Sequence, residues 1–176
     1  MKNTAKTLSI PMMASSLIVL STDALATEMT VSIEIPRINV AEYHRPYVAA
    51  WIEDASGKNV ANLSVWFMQK NTSEGAGSKW LPDMRQWWRK GGRDLKVPVD
   101  GITGPTRPAG RHQVKANAAR MARVPAGKYT VVVESVREVG GRELVRIPIT
   151  IAPGKSATGR AAGKSELGAV SVTVSP

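Results

Sequence analysis

What most constrains this chain is a pair of alternating apolar segments joined by a tight turn. Gly127 to Arg137 (GKYTVVVESVR) sets Tyr129, Val131 and Val133 on one side, Glu138-Val139-Gly140-Gly141 makes the turn, and Arg142 to Ile151 (RELVRIPITI) pairs back across it. Side chains alternate across a strand, so a period of two marks a strand with one buried face. Glu28 to Ile35 (EMTVSIEI) has the same period, with Met29, Val31, Ile33 and Ile35 together. Pro46 to Asp54, centred on Trp51, leads through the turn DASGKN into Val60 to Gln69, where Leu63, Val65 and Phe67 are expected to face one way; this is a second hairpin. A last strand is predicted over Leu167 to Val174, after a loop from Ala152 to Lys164 that is low in complexity near its end. Gln113 to Ala122 is alanine-rich without a period and stays ambiguous. Strands so spaced indicate a mainly β fold, an antiparallel immunoglobulin-like β-sandwich.

One segment breaks the period. In Trp80 to Lys90 (WLPDMRQWWRK), Trp80, Met84 and Trp87 recur at helical spacing, Pro82 and Asp83 suit a first turn, Arg89 and Lys90 a last one, and Gly91-Gly92 an end. The spacing predicts one short tryptophan-rich helix.

The N-terminus belongs to a different class of signal. Lys2 and Lys6 precede an apolar run from Leu8 to Leu20, and Ala24-Leu25-Ala26 is a small-residue cleavage pattern. Residues 1–26 therefore read as a secretory signal peptide. An uncleaved anchor is the alternative, but the run is broken by Pro11, Ser15 and Ser16 and is short for a span of about 20 residues. Residues 27–176 are then expected to form a single exported β-sandwich domain, not itself membrane-spanning. The chain has no cysteine, which removes disulfides, thiol catalysis and thiolate metal sites together. Its formal charge is +10; Lys2, Lys6 and Asp23 contribute +1 of it, leaving +9. The basic residues form no stripe, so nucleic acid is not indicated. A solvated surface or an anionic partner such as a phosphorylated cofactor fits better.

The stretch Asp100 to Gly110 (DGITGPTRPAG) is either an ordinary turn or an attachment address. Linking flavin mononucleotide (FMN) through a phosphoester needs a hydroxyl clear of regular structure, and a preceding glycine removes a side chain from the approach. Asp100-Gly101-Ile102-Thr103-Gly104-Pro105-Thr106 is similar to the acceptor pattern of flavin transferases at every place but Pro105, where alanine is usual. That resemblance puts the acceptor at Thr106, with Asp100, Thr103 and Gly104 as its recognition residues. Pro105 fixes its own backbone and restricts Gly104. Arg107 and Arg111 would offset phosphate charge, or serve only as surface solubility. The later Gly-Ala pair in Glu166 to Val170 offers no hydroxyl at the acceptor place.

Four long blocks, EIPRINVAEYHRPYVAAWIED, KWLPDMRQWWRKGGRDL, DGITGPTRPAG and PAGKYTVVVESVREVGGRELVRIPI, together resemble the family called domain of unknown function 2271, predicted periplasmic proteins. The resemblance implies a periplasmic protein, a flavin transferase as processing partner, a membrane redox partner of the PepSY type, and extracytoplasmic electron transfer tied to iron uptake. It implies no named reaction.

The remaining residues carry weaker signals. Five tryptophans stand against one phenylalanine. Trp80, Trp87 and Trp88 would make a wall for a flat ring, or the buried face of a helix against a sheet, and Trp51 and Trp66 read as core. The two histidines, His44 and His112, lack the three or four spaced ligands of a metal site, and His44 is expected to hydrogen-bond a loop carbonyl. Glu53 and Asp54 are adjacent in a strand and point apart, so they do not make a shared-proton pair. With no nucleophile elbow, Walker loop or dinucleotide fingerprint, an enzyme with its own active site is not indicated. Three readings stand: a flavin-carrying electron-transfer protein, a flavin-free binding module using the surface from Trp80 to Trp88, and, least supported, a metal or haem carrier using His44 and His112.

Overall fold

The computed structural model describes residues 27–73 and 75–176; the leader read over residues 1–26 lies outside the described residues. The alternating segments form the strands their periods predict. These are β1 (Glu28–Ile35), β2 (Tyr47–Glu53), β3 (Asn59–Trp66), the short pair β4 (Asn71–Thr72) and β5 (Gly75–Ala76), β6 (Thr103–Gly104), β7 (Gly110–Ala116), β8 (Gly127–Val136), β9 (Arg142–Ile151), β10 (Ala157–Ala162) and β11 (Ala169–Ser175). One sheet runs β10-β11-β1-β7 and the other β6-β3-β2-β8-β9. All pairings are antiparallel except β3 with β6.

The two sheets bury their facing sides against each other. Met29, Val31, Ile33 and Ile35 of β1 and Val170, Val172 and Val174 of β11 meet Val131 and Val133 of β8 and the odd-numbered apolar residues of β9. Every residue of β2 is buried, because its second face is covered too. There Tyr47, Ala49, Trp51, Val65, Phe67 and Val132 pack under Leu81, Met84 and Trp87 from the long connection between β3 and β6. A strand covered on both faces reads as a continuous apolar run, as β2 does.

That connection departs from the single helix expected over Trp80 to Lys90. A 3-10 segment, Gly77–Asp83, comes first, and the α-helix proper, α1 (Arg85–Arg89), has five residues. Pro82 lies inside the 3-10 segment, and Met84 at ψ 70 breaks the path between the two pieces. Among the described residues, no side chain of the connection caps α1. The cap comes from β8, where Glu134 accepts the Gln86 and Trp87 N–H groups at 3.1 and 2.7 Å and the Arg142 Nε–H at 2.6 Å. Glu134 is fully buried, so its charge is held only by these donors.

Three other expectations need correction. Leu63 does not share a face with Val65 and Phe67: Ala50 pairs with Ser64 and Trp51 with Asn62, so Leu63 is the extra residue of a β-bulge and turns into the sandwich. The ambiguous alanine-rich stretch opens inside β7, then turns through the four-residue helix α2 (Ala118–Met121), which Asn117 caps by accepting the Arg120 N–H. The loop from Ala152 to Lys164 contains β10, whose small residues carry little apolar signal. Gly159 there explains the composition: a Cβ on it would lie 2.5 Å from Ile147 Cγ2, so β10 crosses β9 at backbone distance. Pro148 fits within β9 because that strand is the edge of its sheet.

The loop before β11 is organised by a carboxylate. Glu143 accepts the backbone N–H groups of Lys164, Ser165, Glu166 and Leu167. Partial burial raises its proton affinity, yet the four donors together outweigh it and hold the carboxyl below its ordinary value. A depressed folded value means the stabilisation is complete above the ordinary glutamate range and fades as pH falls through the depressed one. Glu143→Gln should therefore be less stable than the parent by about 1–2 kcal/mol at neutral pH, the gap narrowing below about pH 4; urea unfolding of both proteins at the two pH values measures it. For Glu134→Ala, which orphans the buried Trp87 N–H, the half-buried Gln86 N–H and a guanidinium, the expected loss is about 3 kcal/mol, with altered near-ultraviolet dichroism as Trp87 loses its seat.

Candidate functional site at the β6 edge

The stretch DGITGPTRPAG is neither a free loop nor wholly a strand. Its first part is a tight knot. Ile102 and Thr103 donate their N–H groups to the Val99 carbonyl, while Thr103 Oγ1 accepts from Val99 N–H and donates back to the same carbonyl, each at 3.0 Å. Gly101 takes the left-handed region at φ 70, and a Cβ on it would sit 2.7 Å from Arg120 Nη2. Only glycine satisfies both conditions.

Two anchors fasten this knot to the sheet. The Val65 and Phe67 N–H groups donate to the Ile102 and Gly104 carbonyls at 2.9 and 3.0 Å, which makes Thr103–Gly104 a parallel edge strand on β3. Arg120, from α2, donates through Nη1 to the Leu63 carbonyl at 3.0 Å and through Nη2 to the Gly101 carbonyl at 2.7 Å. It thus joins the bulge of β3 to the turn before β6. Sequence reasoning passed over Arg120, because its stretch had no period; its one signal was a long basic side chain following an Asn cap.

Beyond Gly104 the chain leaves the ladder. Pro105 is exposed and Thr106 half-buried, both outside regular structure, and among the described residues the Thr106 hydroxyl has no hydrogen-bond partner. Arg107 is exposed and stacks its guanidinium 5.7 Å from the Trp66 ring. His112 meets the same ring edge-on at 5.7 Å and shares a 2.8 Å hydrogen bond with the Pro108 carbonyl. Trp66 is core, as expected, but it also forms the floor of this site. Asp100 is exposed and makes no hydrogen bond or ion pair among the described residues. Arg111 turns away to Glu34, 3.7 Å distant.

The structure therefore separates the two threonines of the motif. Thr103 spends its hydroxyl on the turn; Thr106 holds its own unengaged. Gly104 differs from Gly101: its Cβ would lie 3.5 Å from Trp66 Cδ1, an ordinary contact, so the fold does not demand glycine there.

The other sequence candidates fall elsewhere. Trp87 is fully buried against the sheet, Trp80 is exposed, and Trp88 is half-buried, tilted 6.2 Å from Trp87. They form no common wall for a flat ring. His44 does not bond a loop carbonyl; it lies between carboxylates, with Nε2 2.8 Å from Glu42 and Nδ1 3.3 Å from Glu138. His112 has its own separate partners, and no group of three or more His, Asp or Glu among the described residues is arranged to hold a metal ion. Glu53 is buried, accepting from Trp51 Nε1 and Arg146 Nη1, while Asp54 accepts from Ser56 and Lys58 in the β2–β3 turn, so the two carboxylates do point apart.

The family model described as predicted periplasmic protein (DUF2271) matches residues 28–169, from the first strand to the start of the last. The chain belongs to this family. No curated protein and no solved structure matches it. DUF2271 membership puts the chain in the periplasm, and no helix among the described residues is long and apolar enough to cross a membrane.

Arg120→Ala tests the construction of the site. It should cost about 1 kcal/mol in global stability, while amide exchange at Val65, Thr103 and Phe67 rises well beyond that of the β8–β9 hairpin.

Proposed function

We propose that Thr106 is the acceptor for covalently attached FMN, and that this DUF2271 protein works as a periplasmic flavin carrier in electron transfer with a membrane redox partner of the PepSY type, linked to iron uptake. The observation that carries the reading is the contrast between the two motif threonines: Thr103 is consumed in the turn, whereas Thr106 is left with an unengaged hydroxyl at the end of an edge strand. Attachment by a flavin transferase would form a bond from Thr106 Oγ1 to the flavin-side phosphorus of an activated flavin nucleotide. The bond from that phosphorus to its leaving phosphate breaks, and the hydroxyl proton passes to a base of the transferase.

The chain's own residues fit such a group in three ways. Gly104 keeps the approach to Thr106 clear although the fold would accept a side chain there. Arg107, one residue on, offers a guanidinium to the phosphate, at the cost of its stacking on Trp66. The knot at Val99 and the Arg120 bridge hold the segment in one place, so a transferase meets an ordered target. Once bound, the flavin would supply the redox chemistry, and the protein's part is to hold and tune it. A covalent link keeps the cofactor at high effective concentration in a compartment where a loose one would be diluted.

A second reading, a flavin-free binding module, is favoured by one observation: Trp80 is 42 % exposed on the connection that covers β2. It no longer includes Trp87.

Co-production with a flavin transferase in the exported compartment decides the first reading. The denatured band of the parent should fluoresce as flavin, and Thr106→Ala should abolish this while leaving the unfolding midpoint within about 0.5 kcal/mol. A dark parent band beside a transferase active on another acceptor would refute it.

A further inference from the structure

A second feature of the molecule lies at the turn between β8 and β9. A hollow of about 270 Å3 is lined by Tyr47, Trp80, Asp83, Val136, Arg137, Glu138 and Val139. Three elements build it: the first residue of β2, the 3-10 segment Gly77–Asp83, and the hairpin turn. The Tyr47 hydroxyl donates to the Gly77 carbonyl at 3.0 Å and fixes the connection over the strand end. Trp80 on one side and Val139, 73 % exposed, on the other leave an apolar rim open to solvent.

Its electrostatics are opposite to those of the whole chain. Asp83 is exposed and has no ion-pair or hydrogen-bond partner among the described residues, and Glu138 faces only His44. Both carboxylates act on Tyr47, whose hydroxyl is pushed up chiefly by burial and further by these two charges, with the Met68 backbone pulling it back. The one cation of the lining among the described residues, Arg137, is neutralised by Glu166, to which it is bound through Nε and Nη2, each at 3.0 Å, and its Nη1 is sealed from solvent. Arg85 lines the adjoining hollow beyond Asp83. An ammonium already lies over the Trp80 ring, the Nζ of Lys79 at 4.6 Å from its centroid. An aromatic face beside the unpaired Asp83 and the His44-bound Glu138 is a combination that attracts an organic cation, through the ring quadrupole and the carboxylate charges together.

We propose that this hollow binds an alkylammonium group, the chemistry shared by a lysine side chain of a partner protein and a free quaternary ammonium solute. The apolar rim takes the alkyl stem; Asp83 and Glu138 take the charge. This gives the Trp80 surface a ligand class and does not depend on flavin at Thr106.

The test is a fluorescence titration of the full chain, with Trp80→Phe identifying the reporting residue. The probes are butyltrimethylammonium, the peptide acetyl-Gly-Lys-Gly-amide, and the same peptide with norleucine for lysine. Saturable binding of a cationic probe, weakened about tenfold by Asp83→Asn with Glu138→Gln and absent with norleucine, is the expected result. Binding of the quaternary ion alone assigns a free solute, and binding of the lysine peptide alone assigns a protein partner. Equal binding of lysine and norleucine, an affinity untouched by the double variant, or no saturable binding of any probe overturns the proposal. Both carboxylates are at the surface, and an unchanged thermal midpoint of Asp83→Asn shows that the fold is intact.

Discussion

A single buried carboxylate holds the three-layered part of this molecule together. Glu134 has no solvent to stabilise it, and its three donors come from two places: two backbone N–H groups of α1 and the guanidinium of Arg142 on the neighbouring strand. The helix is too short to persist by itself. It exists because a strand of the sheet beneath supplies the cap that its own sequence lacks. With α1 seated, Trp87 and Met84 cover the outer side of β2, and the chain is delivered to Val99 at the right height to join β3 as its edge.

Buried carboxylates recur as the fastening device of the fold. Glu53 takes Trp51 Nε1 and Arg146, Glu166 takes Arg137 and the Gly141 N–H, and the half-buried Glu143 gathers four consecutive backbone donors in the same manner. In a chain with no cysteine these contacts do the work of cross-links between segments far apart in sequence. Each is specific because a buried carboxylate with a missing donor is strongly penalised. They also explain how a chain of net charge +10 keeps a neutral interior: the carboxylates inside pair with arginines and backbone donors, and the excess of positive charge stays outside.

The sequence made the sandwich legible where one face of a strand is buried and the other is not. β1 and β9 show this, and their alternation survives in the structure, whereas β8 is buried on both faces from Val131 to Ser135. It failed where burial did not follow that pattern. β10 lies so close to β9 that it can carry only small residues, and β7 is too polar outside Val114 and Ala116 to show a period. The bulge at Leu63 flips a register that composition has no means of recording. For the proposed site, the sequence singled out the segment DGITGPTRPAG and, by position within it, Thr106. Its anchoring by Arg120 and its floor of Trp66 and His112 came from contacts between residues dozens of positions apart, which no local pattern encodes.

The two long sides of the sandwich are closed in different ways. On one, β10 lies on β9 at backbone distance, with Gly159 leaving no gap between the sheets. On the other, the edge strands β6 and β7 are linked along the chain by residues 105–109, a strap of five residues without regular structure, and across it by the Arg120 bridge and the contact of His112 with Trp66. The first side is shut by strand against strand, the second by a strap and a few side-chain contacts. Thr106 sits on that strap. A group carried there would stand at the seam between the two sheets, not on the face of either.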